Sequence, residues 1–434
     1  MDLNSYFKIK EKGSTIRTEV LAGLTTFMTM AYILAVNPNI LGSTGMDVSA
    51  VFAATAISSA VATLIMAFYA NLPVGLAPGM GLNAFFAFSV CLGMGYSWQF
   101  ALTAVFLEGI IFIFLTITNL REAILNCIPL SLKKAISAGI GLFIAFIGLQ
   151  SAGIIVDNPA TLVALGKLSS PGAIVTIIGL FSISIMLVFN IRGALLYGIF
   201  IGTFAGIFTG ITSLDSFSAS NLFKIPSLSP TFWQFDFSHA FSGDMIFILA
   251  TFLFVDLFDT VGTLVGVATK GNLLDEKGHL PEARQAFMSD AIGTCLGAIL
   301  GTSTVTSFVE SASGVAAGGR TGLTALVVAI FFFLSLFLAP IFLLIPAAAT
   351  APALIIVGLF MISPIKEVDF DNFTVSIPVF VTIIGMPLTY SIAHGIAFGV
   401  ITYVAINLVI GKFKDIHPLT LILALIFIAK LTIN

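Results

Sequence analysis

Fourteen apolar stretches of membrane-crossing length divide this 434-residue chain, and few folds can absorb such a pattern. A helix that crosses a bilayer needs about 20 mostly apolar residues. Such stretches fall near 19–37, 49–70, 76–92, 98–117, 135–155, 172–189, 194–212, 245–268, 286–300, 302–318, 321–343, 347–362, 374–386 and 388–410. Residues 418–432 form one more apolar segment, short enough to lie at the interface or to cross. Only 9% of residues are charged and 58% are hydrophobic, where a soluble domain carries about a quarter charged. The sequence therefore predicts an all-α polytopic membrane protein. The leading segment, MDLNSYFKIKEKGSTIRTEV, is polar and basic without a cleavage-site pattern, and it reads as a cytoplasmic lead-in.

Charge placement tests the count. With residues 1–18 inside, the cytoplasmic segments collect Lys8, Lys10, Lys12, Arg17, Arg121, Lys133, Lys134, Arg192, Lys270, Lys277, Arg284, Arg320, Lys366, Lys412 and Lys414. The opposite loops collect only Lys167 and Lys224. Adding or removing one internal span would scramble that bias, so fourteen spans with both termini cytoplasmic in a cell membrane is the expected topology.

An internal repeat supports the same number. LLYGIFIGTFAGI at 195–207 matches LTYSIAHGIAFGV at 388–400 through Tyr197 and Tyr390, Ile199 and Ile392, Gly202 and Gly395, and Gly206 and Gly399. These are spans 7 and 14. Seven spans per half is an odd number, so the halves run in opposite orientation across the membrane, as in many secondary transporters. Spans 3 and 10 then correspond, and both are irregular. Span 3 carries VGLAPGMGLNAFFAF, with Pro78 among Gly75, Gly79 and Gly81; span 10 carries GTSTVTSFVES. Paired interruptions of this kind point to a binding site at mid-membrane.

The acids define the chemistry. Glu310 is the only charged residue between Asp290 and Arg320. A carboxylate inside a bilayer costs roughly 3 kcal/mol or more, and such residues usually mark a transport route or proton relay. Asp256 and Asp259 lie three apart on span 8 and share a helix face, with no Lys or Arg between 245 and 268. Acids of this kind can exchange protons or accept hydrogen bonds from substrate N–H groups. Asp259 and Glu310 could instead cap half-helices. Asp256 could bind substrate, relay protons or hold structure. Asp290, in FMSDAIGT, is expected near a membrane edge as a structural or coupling acid. Glu108 in span 4 has no assigned role. Asn83, beside the broken span 3, offers an amide for substrate or for backbone capping. His394 is expected to be packed and neutral.

Two acids and an amide suit a neutral heterocycle with several N–H donors. The N1–H and exocyclic amine of guanine can address one carboxylate through two parallel bonds. Cations suit the acids too; anions do not. Cys91, Cys127 and Cys295 lack metal-ligand spacing, and no phosphate-binding G-x-x-x-x-G-K-[ST] loop occurs. No cofactor or metal is expected, no nucleophile–base pair suggests an enzyme, and nothing points to nucleic acid.

TEVLAGLTTFMTMAYILAVNP, APGMGLNAFFAF, FVDLFDTVGTL, SDAIGT, GTSTVTSFVESASGVAAGGRTGLTA and the late HPL together resemble the xanthine/uracil permease superfamily, and within it the AzgA-type guanine, hypoxanthine and adenine permeases. The resemblance implies two inverted seven-span repeats, with short strands in spans 3 and 10 that pair around the substrate. It implies a core domain at 19–117 and 245–343 and a gate domain at 135–212 and 347–410, followed by a C-terminal segment, 411–434. It places Asp259 and Glu310 as substrate ligands, with Asn83 and backbone groups at Ala84, Phe85 and Val309 beside them. Asp256 and Asp290 remain proton-coupling or structural acids. Uracil-transporting relatives carry a histidine one turn after the span 8 acid, where this chain has Thr263, so a histidine relay is not expected. The implied activity is purine–proton symport by alternating access, with a homodimer possible. The competing functions are an anion carrier of the same fold and a carboxylate-based cation channel or exchanger.

Overall fold

The computed structural model of the protein describes residues 3–118, 128–214, 224–275 and 280–433. Arg121, Cys127 and Lys277 lie outside the described residues. Fourteen segments appear in the expected order. Span 1 runs Ile16–Gly42, span 2 Val48–Ala70, span 4 Trp98–Thr118, span 5 Leu130–Ser151, span 6 Pro171–Val188 and span 7 Ala194–Thr209. Span 8 runs Gly243–Gly271, span 9 Ala283–Leu300, span 11 Gly322–Leu343, span 12 Ala347–Ile362, span 13 Phe373–Leu388 and span 14 Ile392–Val409. Nine helices among the described residues are long and apolar enough to cross a bilayer by themselves. Spans 3, 7 and 13 are shorter apolar helices. Span 9 is interrupted by polar residues that face inward: Ser289, Asp290 and Thr294 are all fully buried. The tail forms one further helix, Pro418–Ile433, packed on spans 14 and 8.

Spans 3 and 10 are built differently from the rest. Each opens with a three-residue strand, β1 (Leu76–Pro78) and β4 (Val305–Ser307), and continues into a helix, Met80–Gly93 and Ser311–Ala316 respectively. The strands pair antiparallel, Leu76 opposite Ser307 and Pro78 opposite Val305. Gly79 N–H donates to the Thr304 carbonyl at 3.0 Å and Phe308 N–H to the Gly75 carbonyl at 3.0 Å, extending the ladder at both ends. A second hairpin, β2 (Ile155–Asn158) with β3 (Leu162–Leu165), joins spans 5 and 6.

A two-stranded ribbon inside a bilayer leaves outer-edge groups that water cannot reach. Side-chain hydroxyls meet them. Thr63 of span 2 accepts from Leu76 N–H at 2.9 Å and donates to the Leu76 carbonyl at 3.2 Å. Thr294 of span 9 donates to the Val305 carbonyl at 3.0 Å. Spans 2 and 9 are repeat mates, and each clamps the first residue of the strand that follows it. Helix packing carries the same symmetry. A Cβ on Gly202 in span 7 would lie 3.4 Å from Ala349 of span 12 and 3.7 Å from the Val175 carbonyl of span 6. One on Gly399 in span 14 would meet Thr382 of span 13 and Leu132 of span 5. The sequence-matched tyrosines are less equivalent. Tyr197 lies inside the first turn of span 7, whereas Tyr390 precedes span 14 at a φ of +53°.

Small residues let the helices approach closely. A Cβ on Gly322 would lie 2.1 Å from the Ala67 carbonyl, fixing span 11 against the end of span 2. Gly301 turns the chain from span 9 towards β4 at a φ of +100°, where a side chain would also strike Thr231. Spans 5, 6, 7, 12, 13 and 14 pack chiefly on one another; spans 1, 2, 4, 9 and 11 form a second packed set around the strand pair. The outward surfaces carry exposed Phe181, Val188, Phe204 and Phe380, as lipid contact requires.

Candidate functional site

The structure sorts the intramembrane acids into two groups by exposure. Asp259 and Glu310 are half-buried, whereas Glu108, Asp256 and Asp290 are fully buried.

Glu310 sits where β4 gives way to the span 10 helix, at the N-cap position with φ −57° and ψ −21°. Its side chain does not cap that helix. The carboxylate turns instead to span 1, where the Tyr32 hydroxyl donates to Oε1 at 2.7 Å. Thr29, nearly one turn earlier, reaches the Glu310 backbone carbonyl at 3.5 Å. Tyr32 occupies a tightened turn that divides span 1 into Ile16–Met30 and Ile33–Gly42. Asp259 reaches the same place from span 8, within electrostatic range of both Glu310 and Tyr32. Val309 completes the group. This residue is 52% exposed, and its N–H has no partner among the described residues. The site thus offers two carboxylates as acceptors and one backbone donor at the end of a strand.

The second group lies behind the strand pair. Glu108 accepts from the Thr304 hydroxyl at 2.8 Å and stands within hydrogen-bonding reach of Asp256. Thr260, one turn after Asp256, donates to Asp290 Oδ2 at 2.7 Å. Its oxygen also lies 2.7 Å from the Thr306 hydroxyl on β4. Threonines from spans 8 and 10 therefore bind three acids from spans 4, 8 and 9 into one network.

The other expected site residues stand apart from Asp259 and Glu310. Asp290 stands well inside its helix and away from either end: it is the eighth residue of the 18-residue span 9 and reaches the strand pair through Thr260. Asn83 is fully buried, and its Oδ1 accepts from Ser303 while Nδ2 has no partner among the described residues. That contact lies at the Pro78–Val305 end of the ribbon, whereas Glu310 follows the Leu76–Ser307 end. Antiparallel pairing sends the two half-helices off opposite ends, which a linear motif cannot show. Ala84 and Phe85 are buried, and Phe85 N–H is spent on the Gly81 carbonyl. The Phe85 ring meets Phe252 edge-on at 4.8 Å, a packing role.

Glu108 and Tyr32 are the residues that the motifs did not assign. Glu108 carried the same signal as Glu310, a lone acid in an apolar span. Tyr32 carried none, since a tyrosine in such a span resembles any core aromatic. Another buried acid is structural. Glu19 accepts from Arg320 N–H at 3.0 Å, Thr321 N–H at 3.2 Å and the Thr324 hydroxyl at 2.6 Å, so a carboxylate of span 1 caps the start of span 11.

A fourteen-segment helical membrane protein with inverted halves and paired strands in spans 3 and 10 has the architecture of a transporter. The chain belongs to the Permease family that includes the xanthine/uracil permeases, matched over residues 17–414. It is 46% identical to the guanine/hypoxanthine permease PbuG of Bacillus subtilis, covering 98% of each chain. It is 44% identical to the adenine permease AdeP of Escherichia coli, over 99% of this chain and 96% of the relative. A putative permease of Methanocaldococcus jannaschii is 49% identical over 98% and 97%. Among solved structures, the transmembrane domain of the cyanobacterial bicarbonate transporter BicA superposes with a TM-score of 0.67 at 16% identity, over 88% of this chain and 97% of that one. The murine anion transporter Slc26a9 in its inward-facing state gives 0.66 at 13%, over 92% and 69%. These two establish the fold alone.

Proposed function

We propose that this protein imports purine nucleobases, namely guanine, hypoxanthine or adenine, by proton symport through alternating access. The observation that carries the reading is the placement of Asp259 within electrostatic range of Glu310, both half-exposed, beside the Val309 N–H, which has no partner among the described residues. Two acceptors and one donor complement the edge of a purine, which presents ring and amine N–H groups next to a carbonyl or ring nitrogen. The names of the relatives point the same way, as purine permeases. The solved structures of similar fold are named for bicarbonate and anion transport. A site faced by two carboxylates repels anions, which argues against that activity here.

In the proposed cycle, a proton taken up from outside completes the hydrogen-bond set at Glu310 or Asp259 once the base is seated. A core domain of spans 1–4 and 8–11 then moves against a gate domain of spans 5–7 and 12–14. The separate packing of the two helix sets supports that division. Release of base and proton on the inner side resets the carrier. The fifteen-to-two charge bias supports cytoplasmic termini in a cell membrane. Self-association as a homodimer is included in the proposal, to be read from the mass of the purified carrier.

The test is uptake of radiolabelled guanine, hypoxanthine, adenine and uracil into cells lacking their own carriers, with and without a protonophore. Purine uptake that collapses with the proton gradient, and is lost in Glu310→Ala, is expected. Absence of nucleobase uptake by protein verified in the membrane would sink the reading. Conductance without a base would favour the cation channel.

A further inference from the structure

We propose that Tyr32 is a positioning residue: its hydroxyl holds the Glu310 carboxylate in the orientation needed by a base with two adjacent N–H donors, and so favours guanine over single-donor purines. The inference rests on the purine reading above and concerns the same site.

Tyr32 is 1% exposed, and its ring packs against Phe308 at 6.5 Å between centroids. A buried phenol needs a hydrogen-bond partner. This hydroxyl spends its single proton on Glu310 Oε1 at 2.7 Å. The carboxylate has little else to hold it. It makes no capping bond to its helix, and among the described residues Tyr32 is the one side chain that hydrogen-bonds it. Glutamate has three side-chain torsions, so without the phenol the carboxylate plane is free to turn.

That freedom matters unequally. A carboxylate receiving two parallel N–H bonds must present both oxygens in the plane of the donor pair. Guanine supplies such a pair in N1–H and its exocyclic amine. Hypoxanthine supplies N1–H alone on that edge and tolerates a rotated acceptor. Tyr32 occupies one lone pair of Oε1 and leaves the other, together with Oε2, for the base.

Tyr32→Phe removes the hydroxyl and keeps the ring. Uptake should be measured against concentration for guanine and hypoxanthine, with wild type alongside and both normalised to carrier in the membrane. The guanine KM should rise about tenfold and the hypoxanthine KM less than threefold, with Vmax per carrier within about twofold of wild type. A role confined to stability would lower the amount of carrier in the membrane and leave each KM in place, and that result overturns the inference. Equal rises in both KM values overturn it as well. A wild type that takes up no purine overturns this inference and the proposed function together. Wild-type guanine uptake with an unchanged KM in the variant overturns only the role of Tyr32. Should Tyr32→Phe fail to reach the membrane, Tyr32→Met, which also lacks the hydroxyl, is measured by the same criteria.

Discussion

Replacing Thr63 by valine tests the physical account of the broken spans. The two side chains have nearly the same shape, so packing is preserved. What disappears is a hydroxyl that serves both outer-edge backbone groups of Leu76, accepting from the N–H at 2.9 Å and donating to the carbonyl at 3.2 Å. Leu76 is fully buried, so neither group reaches bulk solvent. An unsatisfied buried polar group costs about 1–3 kcal/mol, which gives about 2–6 kcal/mol for the two. Measured hydrogen bonds between membrane helices average nearer 0.6 kcal/mol, setting a floor of about 1 kcal/mol. A central value of about 3 kcal/mol corresponds to roughly a hundredfold rise in local opening. Thr294→Val is the internal control, since it removes one bond, to the Val305 carbonyl at 3.0 Å. Hydrogen exchange followed by mass spectrometry in detergent should show faster exchange across β1 in Thr63→Val, by tenfold or more, and a smaller effect around β4 in Thr294→Val. Exchange across β1 within threefold of wild type, or a larger effect from Thr294→Val, would refute the claim that these hydroxyls hold the ribbon.

Three further outcomes are expected. Glu19→Ala strips the acceptor from two backbone N–H groups and the Thr324 hydroxyl at the start of span 11, and should lower stability by about 3 kcal/mol, read as a fall in thermal midpoint in detergent. Glu108→Gln should slow uptake while leaving guanine binding to the purified carrier within about threefold, because Glu108 contacts Thr304 and Asp256 and not the Asp259–Glu310 pair; binding lost along with transport would place Glu108 at the substrate instead. Tyr96, in the turn between spans 3 and 4, has its phenol pushed up to about 12 by burial and then by its hydrogen bond to Asp244. A raised value stabilises the fold fully below the ordinary phenol range near 10 and loses that effect as pH rises through 12. The thermal midpoint of wild type should therefore exceed that of Tyr96→Phe by a constant margin up to about pH 10, and the margin should close above it.

The residues differ in how much of their role the linear chain discloses. Span 8 shows Asp256 and Asp259 on one face, but three residues turn a helix by less than a full circle, and that small difference separates them. Asp259 ends half-exposed beside Glu310, whereas Asp256 ends buried against Glu108 and Thr260. Spacing alone carries no sign of that division. Asn83 was placed with Glu310 because both follow a broken segment in matching halves of the repeat. The antiparallel strand pair puts their half-helices at opposite ends, and Asn83 closes on Ser303 instead.

The sequence by itself determined the membrane class, the fourteen segments, the inverted halves and the two interrupted spans. Each of these follows from a one-dimensional quantity: apolar length against bilayer thickness, the side on which basic residues gather, and the placement of glycine and proline. Tertiary structure alone decided which acids face an accessible site, which are sealed behind the ribbon, and that Tyr32, nearly 280 positions away, holds Glu310. The physical reason is that exposure and hydrogen-bond partnership belong to pairs of segments. They exist only once spans 1, 8 and 10 are brought against one another.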